Sequence, residues 1–504
     1  MRVFAAFVVS LIILASTGTA RADPEGQVTW AEHTSLVPAW LDPGEALNLT
    51  GSLYALHDAM MKPMPGAAMA PSLAESWSIS SDGLVYDFIL RKGTKFHDGE
   101  PVTAEDVKYS FERYRATYAN TLKEKVAAVE VLDPGRIRFR LKEPWPDFMV
   151  FYGTLTTRAG WIVPKKYIEK VGEDGFKKAP IGAGPYRFVA FTPGVELVLE
   201  AFEGYWHKTP SVKRLVFRVI PDPATRLAAL KRGEADIAYN IPGELADDLL
   251  RTPGLTLKPT FPTVHWVYFA DQWDPTSPWH DRRVRLAASY AIDREAMNQA
   301  ITSGLSRIRW SMVKSTIDFY WQPPEHGYDP SRARQLLIEA GYPNGFDAGE
   351  LFCDLQAAPN AEAVANYLKA VGIRTKLRPL ERAAFFGAHA QKKLKNLIYA
   401  WMVDFGNAAT RLEAVVVSGG IWAYGGYPDL DALFQKQAAE LDRTKREAIL
   451  HELQQLVSER VIVAPIWEIA FTSGVGPRVE EPGLGLIPNW AFSGPYEDVK
   501  LKAK

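Results

Sequence analysis

Cysteine is nearly missing from this chain. Its 504 residues include one, Cys353, so no internal disulfide can form, and in an oxidising compartment a lone thiol persists best when buried as a small apolar group. Net charge is missing too: 58 Lys and Arg stand against 59 Asp and Glu, for a formal charge of −1. That balance gives no basic footprint for nucleic acid or an anionic membrane. The one dense basic cluster, Lys392-Lys393-Leu394-Lys395, reads as solvated surface. Low-complexity tracts and internal repeats are lacking.

Signatures of catalysis are scarce as well. With no Gly-Lys pair there is no phosphate loop, and Gly182-x-Gly184 lacks the third glycine of a dinucleotide turn. A G-x-S-x-G elbow is absent, and His451-Glu452 lacks the second histidine of a zinc helix. None of the nine histidines pair at helical spacing, so no preformed metal site is expected. Carboxylate pairs such as Asp247-Asp248 and Glu480-Glu481 read as exposed. These absences predict a protein that is not an enzyme and carries no cofactor.

Long apolar runs are confined to the start. After Met1-Arg2 comes an apolar stretch from Val3 to Leu14, then small residues ending Ala20-Arg21-Ala22, the pattern of a secretory leader cleaved after Ala22. The stretch is shorter than the ~20 residues that span a bilayer. No cysteine follows it, so there is no site for a lipid anchor. Export to the periplasm of a two-membrane bacterium is the expectation. A mature chain this long exceeds one hydrophobic core, so two or three domains are expected.

The most specific stretch runs from Pro71 to Arg113. Leu84, Tyr86, Phe88 and Leu90 alternate along a strand that can bury one face. Ser81-Asp82-Gly83 and His97-Asp98-Gly99 supply turns. Thr103, with Asp106 three residues on, opens a helix whose Val107, Phe111 and Tyr114 share a face. A second stretch begins at Gly182-Ala183-Gly184-Pro185-Tyr186. Strands at 187–191 and 195–199 flank the turn Thr192-Pro193-Gly194, Asp222-Pro223 caps a helix stopped by Gly233, and 235–238 is strand. Asp329-Pro330, Asp281 and Asp293 open further helices. Val371 to Leu377 reads as strand, Tyr427 to Leu433 as a helix entry before a long amphipathic segment to Arg460, and Val461 to Trp467 as a buried strand. A mixed α/β sheet follows.

The wording LAESW, LRKGTKFHDGEPVTAEDV and SFER, with GAGPYRF and the run to Ile220-Pro221-Asp222-Pro223-Ala224-Thr225-Arg226, closely resembles family-5 bacterial extracellular solute-binding proteins. That group contains the dipeptide- and oligopeptide-binding proteins of ABC importers. The resemblance spans Trp30 to about Glu481. It implies the α/β periplasmic binding protein fold (class II, cluster C), with mixed sheets flanked by helices and two lobes that hinge over a ligand. It also implies an organisation: leader 1–22, domain I from 23–54, 182–262 and 471–504, an inserted domain II at 55–181, and domain III at 263–470.

The same resemblance implies a site. Trp401-Met402-Val403-Asp404 matches the W-x-x-D of peptide-binding relatives, in which the aspartate pairs with a peptide α-ammonium; a carboxylate removed from water needs such a partner. The alternative is an aspartate paired with a protein arginine or exposed on a loop. Those relatives continue with a polar Asp- and Pro-containing segment, whereas this chain has Phe405-Gly406-Asn407-Ala408-Ala409. Trp40, His265, Tyr268, Trp422 and Tyr424 are candidate aromatic walls, with core packing as the alternative. Arg307 or Arg309 is a candidate carboxylate clamp, or else a surface residue. The implied partners are a short peptide or small solute and an inner-membrane ABC permease, with the protein a monomer. Nickel chelate, haem, opine, oligosaccharide or an aromatic compound is the alternative cargo, and a chaperone or hydrolase the alternative class.

Overall fold

A computed structural model of the chain describes residues 23–45, 51–403 and 406–503. The expected leader and Asp404 lie outside them. The largest sheet has 11 strands. From one edge the order is Tyr186–Thr192, Glu196–Ala201, Val212–Val219, Glu25–Glu32, Ile237–Ala238, Val463–Val475, Thr256–Phe269, Leu397–Val403, Phe346–Asp354 and Ile373–Leu380, with Arg307–Ile308 paired off this path to Val463–Val475. Glu25–Glu32 runs parallel to both its neighbours, and Phe346–Asp354 does likewise at the other end. The connections between these parallel strands carry helices, among them Pro223–Lys231 and Ala358–Ala370, as parallel pairing requires.

Two antiparallel strands of 14 and 13 residues, Thr256–Phe269 and Val463–Val475, form the middle of the sheet. They join two halves with separate cores. On the first half, Val28, Trp30, Phe217 and Tyr239 pack one face, and Ala31, Leu227, Leu230 and Leu249 the other. On the second half, period-2 alternation sends Val267 and Phe269 to one core, and Val264, Trp266 and Tyr268 to the opposite one. Cys353 is fully buried in the former, the environment its isolation predicted.

A four-stranded antiparallel sheet, Ala74–Ile79, Val85–Leu90, Arg136–Leu141 and Val126–Asp133, stands apart with its own aromatic core. Tyr86, Phe88 and Leu90 are buried there as their alternation predicted. Helix Ala104–Arg113 packs on this sheet through Val107 and Phe111. At its start Asp106 Oδ2 accepts hydrogen bonds from the Thr103 N–H at 2.9 Å and the Thr103 hydroxyl at 2.7 Å. Asp222, Asp281, Asp293 and Asp329 each accept from a first-turn amide of the helix they open. The helix entry after Tyr427 is Pro428–Ala438, and the long amphipathic segment is a second helix, Arg443–Glu459, which Asp442 caps by accepting from Lys445 N–H at 2.9 Å. Gly182 and Gly184 answer a packing need: a Cβ on either would lie 1.9 or 2.5 Å from the carbonyl oxygen of Leu56 or Ala55.

One polar contact ties the four-stranded unit to the far half of the large sheet. Asp147, buried beside Phe148, accepts from Asn407 Nδ2 at 2.7 Å and from Arg446 Nη2 at 2.5 Å. Arg446 also donates to Gln437 at 2.9 Å. Removing one partner of such a buried pair strands the other charge and costs about 3–5 kcal/mol. Arg446→Met should therefore lower the denaturation midpoint, and adding Asp147→Asn should recover part of the loss. A double variant no better than the single one would show that the pair does not couple the two units.

Candidate ligand-binding cavity

A cavity of about 720 Å³ opens where the crossing strands pass between the halves. The crossing ladder is irregular there. Register shifts between Thr260 and Thr263 and again between His265 and Trp266, and Pro262 contributes no N–H to the interrupted stretch. Pro262, Thr263, His265, Ile469, Ala470 and Phe471 face the cavity from these strands. The first half adds Glu32, His33, Trp40 and Asn240, the last in a left-handed backbone conformation with φ of 52°. Tyr118 and Arg158 come from the four-stranded unit, and Asn360, Arg382, Trp401 and Arg411 from the far half.

Of the residues expected from sequence, Trp40, His265 and Trp401 line the cavity. The His265 and Trp401 rings stack with centroids 6.2 Å apart, and the Arg382 guanidinium lies 4.9 Å from the Trp401 centroid. His265 meets Thr263 Oγ1 at 3.2 Å and Tyr399 Oη at 3.1 Å, and burial pushes its pKa down to about 3. It is a neutral hydrogen-bonding element of the wall.

Tyr268, Trp422, Tyr424 and Arg307 are not among the lining residues. The first three form their own cluster: the Tyr424 N–H donates to Tyr268 Oη at 3.0 Å, and His389 lies tilted against Trp422 at 4.1 Å and meets Tyr424 edge-on at 5.2 Å. Arg307 lies half exposed over the Phe261 ring at 3.7 Å, while Arg309 pairs with the buried Glu468 at 3.2 Å. Glu468 holds these arginines against the sheet, which is why the loop that carries them does not present them to the cavity. Asp404 follows directly on Val403, a lining residue.

Sequence reasoning missed the charged lining. Arg158 and Arg411 are buried, and Arg382 is partly exposed while reaching Asp354 at 3.3 Å. Against these three cations the described lining offers one carboxyl group, Glu32, which is 4% exposed. Burial pushes its pKa up to about 8, against a smaller opposing pull from Arg226. Arg226, from the motif Asp222-Pro223-Ala224-Thr225-Arg226, donates instead to the carbonyls of Ile220, Pro221, Tyr239 and Asn240 at 2.6–2.9 Å. It thereby fixes two loop ends at the cavity floor. His33 is pushed down to about 4, first by burial and then by Arg226 and Arg382. The only sequence signal for Glu32 is a carboxylate ending the otherwise buried run Val28 to Ala31.

Among the described residues, no group of three His, Cys, Asp or Glu side chains is placed to hold a metal ion, and no helix is long and apolar enough to cross a membrane.

The family model for bacterial extracellular solute-binding proteins, family 5 (middle), matches residues 68–422. The chain belongs to this family. Among solute-binding proteins of the family's kind, the glutathione-binding protein GsiB of Salmonella choleraesuis is 31% identical over 85% of this chain and 86% of its own. Heme-binding protein A of Haemophilus influenzae is 27% identical over 92% and 91%. A solved structure of the periplasmic binding protein DppA from Helicobacter pylori, in complex with the peptide STSA, superposes with a TM-score of 0.75, covering 95% of this chain and 98% of that one at 23% identity. The α/β binding-protein fold expected from sequence is therefore the fold this family-5 chain adopts.

Glu32 in this family-5 fold gives a signed pH dependence. Its folded pKa lies above the unfolded one, so its contribution to stability is complete below pH 4.5 and is lost as pH rises through about 8. Relative to Glu32→Gln, the wild type should lose up to about 1.4 kcal/mol per pH unit across that window. Denaturant titrations of both at pH 5 and pH 8 measure it. A constant difference between the two proteins would place Glu32 in water.

Proposed function

We propose that this protein is the extracytoplasmic solute-binding component of an ABC importer, and that its cargo is a peptide or peptide-sized solute carrying at least one carboxylate. The observation that carries the cargo reading is Arg382 on the cavity wall, partly exposed with its guanidinium 4.9 Å from the Trp401 ring centroid, beside the described lining arginines Arg158 and Arg411. Arginine forks suit carboxylates, and the volume suits a ligand of a few residues. The relatives named for glutathione and the structure holding a peptide agree with this class. Trp40, Trp401, Phe471 and Phe492 supply apolar faces around the charged groups. The role of Asp404 as partner of a ligand ammonium, and any ligand contact by Tyr268, Arg307, Trp422 or Tyr424, stay with the resemblance alone.

Capture proceeds by hinging of the two halves about the interrupted ladder between Thr260 and Trp266, with the divisions 23–54, 182–262 and 471–504, 55–181, and 263–470 moving as units. The family and the relatives are binding proteins rather than enzymes, and the cargo is delivered unaltered to a membrane permease. The leader is removed after Ala22 and the mature protein works in the periplasm as a monomer.

Calorimetric and thermal-shift titrations with glutathione, dipeptides, haem and a nickel chelate test the cargo. An acidic peptide at 100 times its Kd should raise stability by about 2.7 kcal/mol, and Arg382→Ala should weaken its binding by about tenfold or more. Binding confined to haem or the chelate would overturn the peptide reading.

A further inference from the structure

The polar groups of the cavity are segregated. Arg382 and Arg411 enter from the far half, whereas Glu32 and His33 sit together at the end of strand Glu25–Glu32. Glu32 is 4% exposed and lines the cavity. A nearly buried acid that faces a cavity gains when a ligand group able to pair with it arrives. The nearby cation, Arg226, is committed to four backbone carbonyls. Tyr239 and Tyr496 are the other titratable groups that sense Glu32. The Tyr239 hydroxyl already accepts from the Ser493 N–H at 2.9 Å. Among the described residues His33 Nδ1 is buried with no hydrogen-bond partner, its ring lying between Phe471 at 5.4 Å and Phe492 at 6.2 Å. The charge of Arg382 reaches His33 from the opposite wall, so a solute between them meets both.

Resting on the cargo reading above, we propose that Glu32, with His33 beside it, forms a second polar subsite that receives the ammonium end of a zwitterionic acidic solute whose carboxylate goes to Arg382. This assignment differs from the one implied by resemblance, in which the ammonium goes to Asp404.

The arrangement has a proton balance. In the empty cavity the Glu32 carboxyl group is protonated at neutral pH, a state that its burial favours. When a ligand ammonium docks, the carboxylate replaces the acid, the O–H bond breaks and one proton leaves to solvent; the ammonium keeps its own three. His33 would act with the opposite sign, since an anion settling against a neutral imidazole draws a proton in. The direction of proton flow therefore separates the two residues.

Calorimetry at pH 7 in buffers of different ionisation enthalpy reads that flow. The probes are glutathione and a set of Ala-Glu and Glu-containing tripeptides, each with a free amine and as its N-acetyl form. For wild type, free-amine probes should release about one proton per binding event and bind about tenfold tighter than their N-acetyl forms. Glu32→Gln, which matches the protonated acid in shape, should fold, bind without proton release and lose the preference for a free amine. Binding without proton release, N-acetyl probes binding as tightly as free ones, or release that disappears in Asp404→Asn but persists in Glu32→Gln would overturn the subsite while leaving the cargo reading intact. If no probe of either form binds, the cargo reading falls and the subsite with it.

Discussion

The pairing of Thr256–Phe269 with Val463–Val475 is the constraint on which the rest of this structure depends. These two strands are continuous through both halves of the sheet, so whatever faces the cavity from either half is positioned relative to this ladder. A ladder with every rung in place would resist bending. Here the register shifts twice within six residues, and a proline sits in the gap, so the pair joins the halves without welding them. The buried Asp147–Arg446 contact acts at a distance from this joint and draws the four-stranded unit toward the far half.

The charges lining the cavity follow from a second constraint, the low polarity of its walls. Burial among aromatic and aliphatic neighbours pushes His33 and His265 down and Glu32, the one carboxyl group of the described lining, up. Arginine tolerates the same surroundings because its fork can be satisfied by carbonyls, as Arg226 shows. Arg382 and Arg411 thus stand on one side of the described lining and Glu32 on the other.

Much of the scaffold was legible because its signals are local. Aspartate caps at 222, 281, 293 and 329, the alternation from Leu84 to Leu90 and the turn glycines each act within a few residues, and the structure places elements where they pointed. The site was legible only in part. Trp40, His265 and Trp401 were found through their place in the family pattern. Glu32, Arg158, Arg382 and Arg411 were not, because facing a cavity is a long-range property to which residue spacing is blind. Tyr268, Trp422 and Tyr424 illustrate the converse: an aromatic residue near the expected wall packs on other rings as readily as on a ligand. Arg307 and Arg309 were drawn aside by Glu468, a buried residue 159 positions from Arg309 in sequence.

The central claim is that a solute is taken between two halves that hinge on one interrupted ladder. Small-angle X-ray scattering of the mature protein, with and without a saturating acidic peptide whose binding calorimetry has established, tests it most directly. The account predicts a smaller radius of gyration in the bound form, with the scattering of the empty protein fitted by a mixture richer in open molecules. An unchanged radius at saturation would mean that the cavity fills without movement of the halves, and the hinge would have to be abandoned.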